Sequence, residues 1–209
     1  MPTYTFGGMQ TAIANELDRD NLSANIRDSI LSAISFYESE RFYFDEARAT
    51  LNTTANQEYY HLPSNFQKPD IITLRVGSYI SPMTARTFDF MENRIRSVGQ
   101  TGIPYDYAVF ASQLRLYPIP NDSYRMEISY QKKLGDISAT SDTNAWFTDA
   151  WDLIKARAKA DLLMNKIRGQ EGIAEAGVMS QREQDELRRL RYETASRRAT
   201  GNLSPEGMR

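Results

Sequence analysis

The sequence predicts an α+β fold, in which a three-helix core is interrupted by a β-rich insertion and followed by a polar helical extension. Three observations predict it. Apolar residues recur at helical spacing before about residue 42 and again at about 148–168, and the segment between them alternates with a period of two. A last helical segment is nearly devoid of apolar residues. We therefore expect a core over residues 1–168, with the insertion at about 44–135, and an extension over residues 169–209.

Two helices are predicted before the insertion, at about residues 9–17 and 22–42. Met9, Ile13 and Leu17 lie on one face of the first. In the second, apolar residues recur every three or four positions, which is the spacing of an amphipathic helix. The members of this stripe are Leu22, Ile26, Ile30, Ile34 and Tyr37.

A third helix is predicted at about residues 148–168, after the insertion. Thr148 is a residue type that caps helix N-termini, and Asp149 and Asp152 suit the positive end of the helix dipole. The buried face is expected to consist of Trp151, Ile154, Ala158 and Leu162. This helix is expected to return along the first two and to complete the core.

The insertion shows the alternation of strands between proline and glycine stops. Residues 47–53 and 57–62 are predicted to pair as a hairpin across Ala55 and Asn56. Further strands are predicted at 70–76, 105–110, 113–117 and 124–133, with a short helix at 87–98. We expect these strands to form a sheet that packs on the helices.

The extension is predicted to be a hinge followed by a helix. Three glycines between Gly169 and Gly177 predict a flexible linker, and Ser180 with Glu183 matches a capping box. The helix that follows has little apolar content beyond Leu187, Leu190 and Tyr192. We therefore expect this segment to become ordered only on a partner surface.

Arginines concentrate in this last helix, with acidic residues among them. Two interpretations remain open. The helix is either a solvated surface with i,i+4 ion pairs, or a segment whose guanidinium groups pair with the carboxylates of a partner. The candidate partner-binding residues are Arg182, Arg188, Arg189, Arg191, Arg197 and Arg198.

The composition argues against several classes of catalytic site. The sequence contains no cysteine and one histidine, His61, which cannot build the usual zinc sites. Two acidic pairs, Glu38 with Glu40 and Asp45 with Glu46, are poor general acid–base candidates because neighbouring helical residues point in different directions. We expect neither a metal nor a cofactor, and no segment approaches the 18 apolar residues of a membrane span.

Tyrosines are frequent in the predicted strands, and they allow two interpretations. Such side chains could stack on single-stranded nucleic acid. No cluster of lysine or arginine accompanies them in the sequence, however, and the formal net charge of the chain is −2. Sheet packing or a protein interface is the better explanation, since tyrosine is favoured in both.

Four stretches carry a resemblance to a known family. The sequence resembles the head-to-tail adaptor family of short-tailed and related tailed bacteriophages, which includes the tail accessory factors. The likeness covers about residues 10–168, and no family pattern is evident beyond Gly169. Its stretches are Ile26–Phe44 (IRDSILSAISFYESERFYF), Glu58–Phe66 (EYYHLPSNF), Leu114–Pro120 (LRLYPIP) and Asn144–Leu163 (NAWFTDAWDLIKARAKADLL).

This resemblance implies a structural virion protein, made in the host cytoplasm and located at the portal–tail junction. The family forms homo-oligomeric rings, typically of twelve copies, that dock under the portal protein and meet a tail tube or nozzle protein at the other end. DNA passes through the channel during genome ejection without sequence-specific binding. The extension over residues 169–209 is expected to reach the portal.

Two other functions stay open. Some tail accessory factors cut peptidoglycan, so a virion-associated wall-degrading enzyme is the main alternative. A nucleic-acid-binding regulator that uses the basic C-terminal helix is the other. Activity against cell-wall material would reveal the enzyme, and salt-dependent DNA binding would reveal the regulator.

Overall fold

The computed structural model describes residues 3–19, 21–97, 99–167 and 170–200. Helices and strands both occur, which confirms the α+β class. The helices of the described residues are Phe6–Leu17 (α1), Ser23–Tyr37 (α2), Phe88–Ser97 (α3), Ala145–Thr148 (α4), Trp151–Asn165 (α5) and Gln170–Thr200 (α6). The strands are Glu46–Asn52 (β1), Tyr59–His61 (β2), Phe66–Val76 (β3), Tyr79–Pro82 (β4), Thr84–Ala85 (β5), Thr101–Gly102 (β6), Asp106–Phe110 (β7), Gln113–Tyr117 (β8), Ile119–Pro120 (β9) and Arg125–Lys132 (β10).

The chain folds as two compact units. A helical unit lies within Met1–Phe44 and Leu134–Arg209, and a β unit is formed by Asp45–Lys133. The β unit occupies the range in which the sequence predicts a β-rich insertion. Each unit has a hydrophobic core of its own.

Helices α1 and α2 follow the predicted apolar spacing. The Thr5 hydroxyl accepts a hydrogen bond from the Gly8 amide at 3.1 Å and caps α1. The stripe of α2 is buried from Ile26 to Tyr37, as predicted. The helix nevertheless ends at Tyr37 and not at residue 42. The chain turns there because Phe42 is fully buried and stacks on Phe44.

The predicted third helix corresponds to α5, which begins at Trp151, and the short helix α4 precedes it. Thr148 is the last residue of α4 and caps neither helix: the side-chain oxygen of Asn144 accepts a hydrogen bond from the Trp146 amide at 3.0 Å and caps α4, and Ala150 makes no side-chain cap of α5. The predicted face of Trp151, Ile154, Ala158 and Leu162 is buried. The helix ends at Asn165, and Arg168, its predicted last residue, lies outside the described residues.

Helix α6 corrects the prediction of a hinge. It is continuous from Gln170, so Ser180 lies within it and caps nothing, while Gly169 lies outside the described residues. A Cβ atom at Gly172 would lie 2.6 Å from the carbonyl oxygen of Ile167, so this glycine serves close packing and not flexibility.

The expectation that α6 has too little apolar surface to pack on its own core is also wrong. Leu190 and Ala176 are 0% and 1% exposed, and Leu187 packs against the same core. Small residues therefore complete a buried face that a search for large apolar residues does not detect.

The β unit contains two four-stranded sheets, and not a single sheet. One has the order β1–β10–β3–β4 and the other β2–β8–β7–β5, while β6 and β9 form a separate two-stranded pair. Buried side chains of both four-stranded sheets form one core, which includes Leu74, Met126, Leu114 and Leu116. Helix α3 packs on β7 and β8 through a smaller cluster around Met91.

The predicted hairpin between the first two strands is wrong. β1 pairs with β10 and β2 pairs with β8, so the two strands belong to different sheets. Residues 53–58 therefore cross between sheets instead of closing a hairpin. Tyr60 holds this crossing, because its hydroxyl donates to the carbonyl of Gln57 at 3.0 Å and accepts from the amide of Thr54 at 3.0 Å.

The packing of α6 predicts its contribution to stability. We expect Leu190→Ala to lower the free energy of unfolding by about 2–5 kcal/mol, because it leaves a cavity in a fully buried site. The control is Tyr192→Ala, two residues further along the same helix. Tyr192 is 67% exposed, so its removal should change the free energy by no more than about 0.5 kcal/mol. Denaturant unfolding measures both, and equal values for the two variants would show that α6 does not pack in solution.

Candidate interaction surfaces

The six predicted partner-binding arginines all lie on α6, and they divide by the position of their carboxylate partners. Two reach other elements of the helical unit. Arg191 donates to both oxygens of Glu40, at 2.7 and 3.2 Å, and Arg182 donates to Asp152 at 3.1 Å. These two arginines tie α6 to the turn after α2 and to α5.

The other arginines lie along the exposed side of the helix, although the Arg197 guanidinium also lies 3.7 Å from the centre of the Tyr43 ring. Arg188 pairs with Asp185 at 3.3 Å, Arg189 with Glu186 at 2.8 Å and Arg197 with Glu193 at 2.5 Å. All three partners are on α6 itself, three or four residues away. Arg188 has 75% of its side chain accessible, more than Arg189 or Arg197, and Arg198 is exposed as well. The interpretation as a helix with i,i+3 and i,i+4 pairs therefore describes this half of the set.

A buried polar cluster holds the middle of α6. One carboxylate oxygen of Glu183 accepts hydrogen bonds from the Tyr37 hydroxyl and from the Arg157 guanidinium, the latter at 2.7 Å. The guanidinium also lies 3.5 Å from the centre of the Phe36 ring. Burial, together with the hydrogen bond to Glu183, raises the pKa of Tyr37 above its ordinary value. Tyr37 is therefore a neutral donor at physiological pH, and Glu183 serves as a structural acceptor.

A second ionic cluster joins α1 to α5. Glu16 accepts hydrogen bonds from Lys155 and Lys159, both at 2.9 Å. Lys159 is 5% exposed, so its charge needs a partner inside the unit. Burial raises the pKa of Glu16, but the hydrogen bonds and charges of the two lysines outweigh it and leave the pKa below its ordinary value.

The structure places the four acidic residues considered as catalytic candidates in different surroundings. Glu40 binds Arg191, and Asp45 is buried in the turn before β1. Glu38 lines a groove of the helical unit and Glu46 lines a groove of the β unit. His61 is exposed at the end of β2. In the part of the chain that the structure describes, no group of three or more His, Cys, Asp or Glu side chains is placed to hold a metal ion.

The β unit has an arginine–aromatic surface that the sequence analysis missed. We define it by Arg86, Arg94 and Arg115 with Phe88, Phe90 and Tyr59. Arg115 lies in the middle of β8, where Tyr59 and Phe88 are 5.2 and 5.4 Å from its guanidinium carbon. Arg86 lies 5.1 Å from the Phe90 ring, and Arg94 lies 6.0 Å from the same ring. Arginines therefore do accompany the aromatic residues, although they are far apart in sequence.

The charges of this surface are nevertheless balanced. Arg115, with 6% of its side chain exposed, is paired with Glu58 and Glu92, and Arg86 is paired with Asp106 at 3.2 Å. Three carboxylates thus accompany three arginines. Binding to a phosphate backbone depends on excess positive charge, which this surface lacks. Exposed aromatic residues with arginine are instead typical of protein interfaces.

The helical unit thus presents ion pairs along α6, and the β unit presents a charge-balanced arginine–aromatic surface. No helix within the described ranges is long and apolar enough to cross a membrane.

The comparison with protein families gives the class a name. The family model of the SU10 adaptor protein matches residues 4–206, and the chain belongs to this family. It is a phage structural adaptor protein and a component of the virion. The match continues through α6, so the expectation that the family likeness ends at about Gly169 is wrong. No curated protein matches the chain.

The ionic cluster around Glu16 predicts a pH-dependent effect. At pH 7, we expect Glu16→Gln to lower the free energy of unfolding by about 1 kcal/mol, a value reduced by the solvent exposure of Glu16. Because the folded-state pKa lies below the ordinary value of 4.5, this contribution is present above that pH and is lost as the pH falls through the folded-state pKa. The difference between Glu16→Gln and the unaltered chain should therefore shrink below about pH 4.5.

The control is Glu175→Gln, because a carboxylate oxygen of Glu175 lies 3.8 Å from the ammonium nitrogen of Lys159, one of the two lysines that bind Glu16, and the Glu175 side chain is 48% exposed. This substitution should cost less than Glu16→Gln at pH 7. Denaturant unfolding at several pH values measures both variants. A Glu16→Gln effect of constant size from pH 3 to pH 7 would contradict the assignment.

Proposed function

We propose that this chain is the ring-forming subunit that joins the phage portal to the tail. By its resemblance to the adaptor family, the ring contains twelve copies and lines part of the channel through which DNA leaves the capsid. One end contacts the portal protein and the other a tail tube or nozzle protein. The observation that carries the proposal is the family match over residues 4–206, which includes both units and all of α6.

The balanced charges support a structural role in the channel. DNA must slide through an adaptor during ejection, and strong phosphate binding would retard it. The net charge of −2 and the paired arginines of the β unit are compatible with passage and not with retention. Contacts with DNA in the proposed ring are therefore independent of its sequence.

Helix α6 is the proposed portal-binding element, and its arginines have unequal parts in it. Arg182 and Arg191 hold the helix on its own unit. Arg188 and Arg189 pair with carboxylates on α6, in exposed ion pairs worth little to stability. Such pairs exchange for carboxylates of a partner with a small loss, and the planar guanidinium suits bidentate contacts there. We assign the strongest portal contacts to Arg188 and Arg189.

The decisive experiment is negative-stain electron microscopy of the purified protein mixed with purified portal rings. The proposal predicts a second ring stacked on the portal. Adaptor particles that leave the portal bare at all concentrations would contradict it.

Substitution of the exposed arginines tests the assignment within α6. We expect Arg188→Gln with Arg189→Gln to weaken portal attachment about tenfold or more, with little change in melting temperature. Glutamine retains helix propensity, so the helix itself should persist. Attachment of the unaltered chain should also weaken with rising salt, because exposed charge pairs are screened.

The matched control is Arg125→Gln, an arginine of the β unit that is 55% exposed and pairs with Glu127 at 3.4 Å. The Arg125→Gln variant should attach to portals as tightly as the unaltered chain. If the double variant bound portals as tightly as the control, the portal contact would lie elsewhere in the chain.

A further inference from the structure

Strands β3 and β4 form a hairpin at the edge of the first sheet. Val76 pairs with Tyr79, which leaves Gly77 and Ser78 as a two-residue loop. Gly77 has a φ angle of 59°, a conformation that the first position of a tight hairpin turn requires and that glycine adopts readily. β4 pairs only with β3, so the hairpin ends the sheet on this side.

The tip of this hairpin, residues 75–80, exposes large apolar side chains. Tyr79 is 81% exposed and Ile80 is 53% exposed. Consecutive residues of a strand point to opposite faces, so each face of the hairpin tip carries one of them. An exposed edge strand with such residues is a template for association, which natural proteins usually cover or protect with charges.

The charge of the hairpin tip is positive. Arg75 is exposed and lies opposite Ile80 in the pairing of β3 with β4. Among residues 75–80 it is the one side chain that is charged at neutral pH. The hairpin tip therefore combines two apolar side chains with one guanidinium group. Its complement is an apolar groove with a negatively charged rim.

The helical unit contains a groove of this kind, at the end of α2. We call it the α2 groove. Leu31, Ile34, Ile137 and Trp146 provide its apolar lining, and Ser35 and Gly135 complete its wall with two acidic residues, Glu38 and Asp136. Its volume is about 330 Å³, at the lower end of the range of organic-ligand pockets, which suits one large apolar side chain.

We propose that the hairpin tip of one copy docks in the α2 groove of a second copy of this chain. Ile80 enters the apolar lining, and Arg75, which lies on the same face of the hairpin, lies against Glu38 and Asp136. The inference rests on the proposed ring function, for which it supplies the contact between subunits. Charge complementarity selects the occupant, since the chain carries both a positive apolar projection and a negatively rimmed apolar groove.

The symmetry of such a contact supports the same occupant. The two surfaces are different, so the contact is head-to-tail, and every copy offers one projection and one groove. Head-to-tail contacts build closed rings when the rotation between copies is suitable. The contact would also remove from solvent the edge that each isolated copy exposes.

Disulfide cross-linking between two single-cysteine variants tests this proposal. The chain contains no cysteine, so no native thiol interferes. Ser78 lies in the hairpin loop and Ser35 lines the α2 groove, and both are exposed. Under mild oxidation, a mixture of Ser78→Cys and Ser35→Cys chains should form a linked dimer that neither variant forms alone. A chain with both cysteines should form a ladder of linked copies.

Three results would overturn the docking. One is the absence of the mixed dimer, both in the isolated protein and with portal rings present. Another is an equal yield of dimers from one variant alone, which would indicate a symmetric contact. The third is a closed loop within the double-cysteine monomer. If rings were visible by electron microscopy in any of these cases, the ring proposal would survive and only the docking would fail.

Charge exchange provides a second test that does not depend on cysteine placement. Arg75→Asp should weaken self-association about tenfold, as measured by sedimentation, and Asp136→Arg should do the same. Combining both substitutions in one chain should restore at least part of the loss. Arg48→Asp is the control, because Arg48 is exposed on β1, which β10 separates from β3. An equal loss from Arg48→Asp would overturn the assignment.

Discussion

The helical unit depends on the burial of α5. Nine of the 15 residues of this helix are buried, so it presents scarcely any side to solvent. A helix in this position can carry charges only where partners neutralise them. Lys159 meets this condition through Glu16 on α1, and Arg157 meets it through Glu183 on α6. The same ion pairs that allow α5 to be charged therefore fix the positions of the helices around it.

This constraint determines how α6 is used. Its inner face is occupied along most of its length, from Gly172 beside the end of α5 to Thr194, whose hydroxyl accepts a hydrogen bond from the Tyr43 amide at 3.1 Å. Burial and the hydrogen bond to Asp149 raise the pKa of Tyr43 to about 12, so the Tyr43 hydroxyl remains a neutral donor beside α6. What α6 offers to a partner is its outer face of ion pairs. In the structure, α6 is a continuous helix that packs on its own unit and carries exposed arginines on its outer face.

The sequence predicts those features that depend on local spacing. The α+β class, the buried stripe of α2 and the burial of Trp151 follow from the period of apolar residues, and the structure confirms them. Two predictions failed because a local signal was overridden by packing. The turn-like residues at Ala55 and Asn56 serve a crossing between sheets, and Gly172 serves close contact with the end of α5.

The charged surfaces could be predicted only in part. Arginine enrichment on α6 is visible in the sequence, but the pairing of Arg191 with Glu40 joins residues that are 151 positions apart. Arg115 is flanked by Leu114 and Leu116, and this alternation is a sign that it faces the side of the sheet opposite to the apolar core. Its carboxylate partners are Glu58, the residue before β2, and Glu92 on α3, and no local sequence pattern connects them.

The two proposed interfaces differ in physical character, and this difference suits an adaptor. Contacts of the hairpin tip would bury apolar side chains with a single charge, so their strength depends mainly on the area removed from water. Contacts of α6 would exchange exposed ion pairs for others, with a small net free energy for each and a strong dependence on salt. Apolar contacts between copies favour a ring that persists, whereas charged contacts favour accurate and reversible docking. A subunit with one surface of each type can form its ring first and then select its place on the virion, because the weaker charged contacts gain strength when many copies present them together.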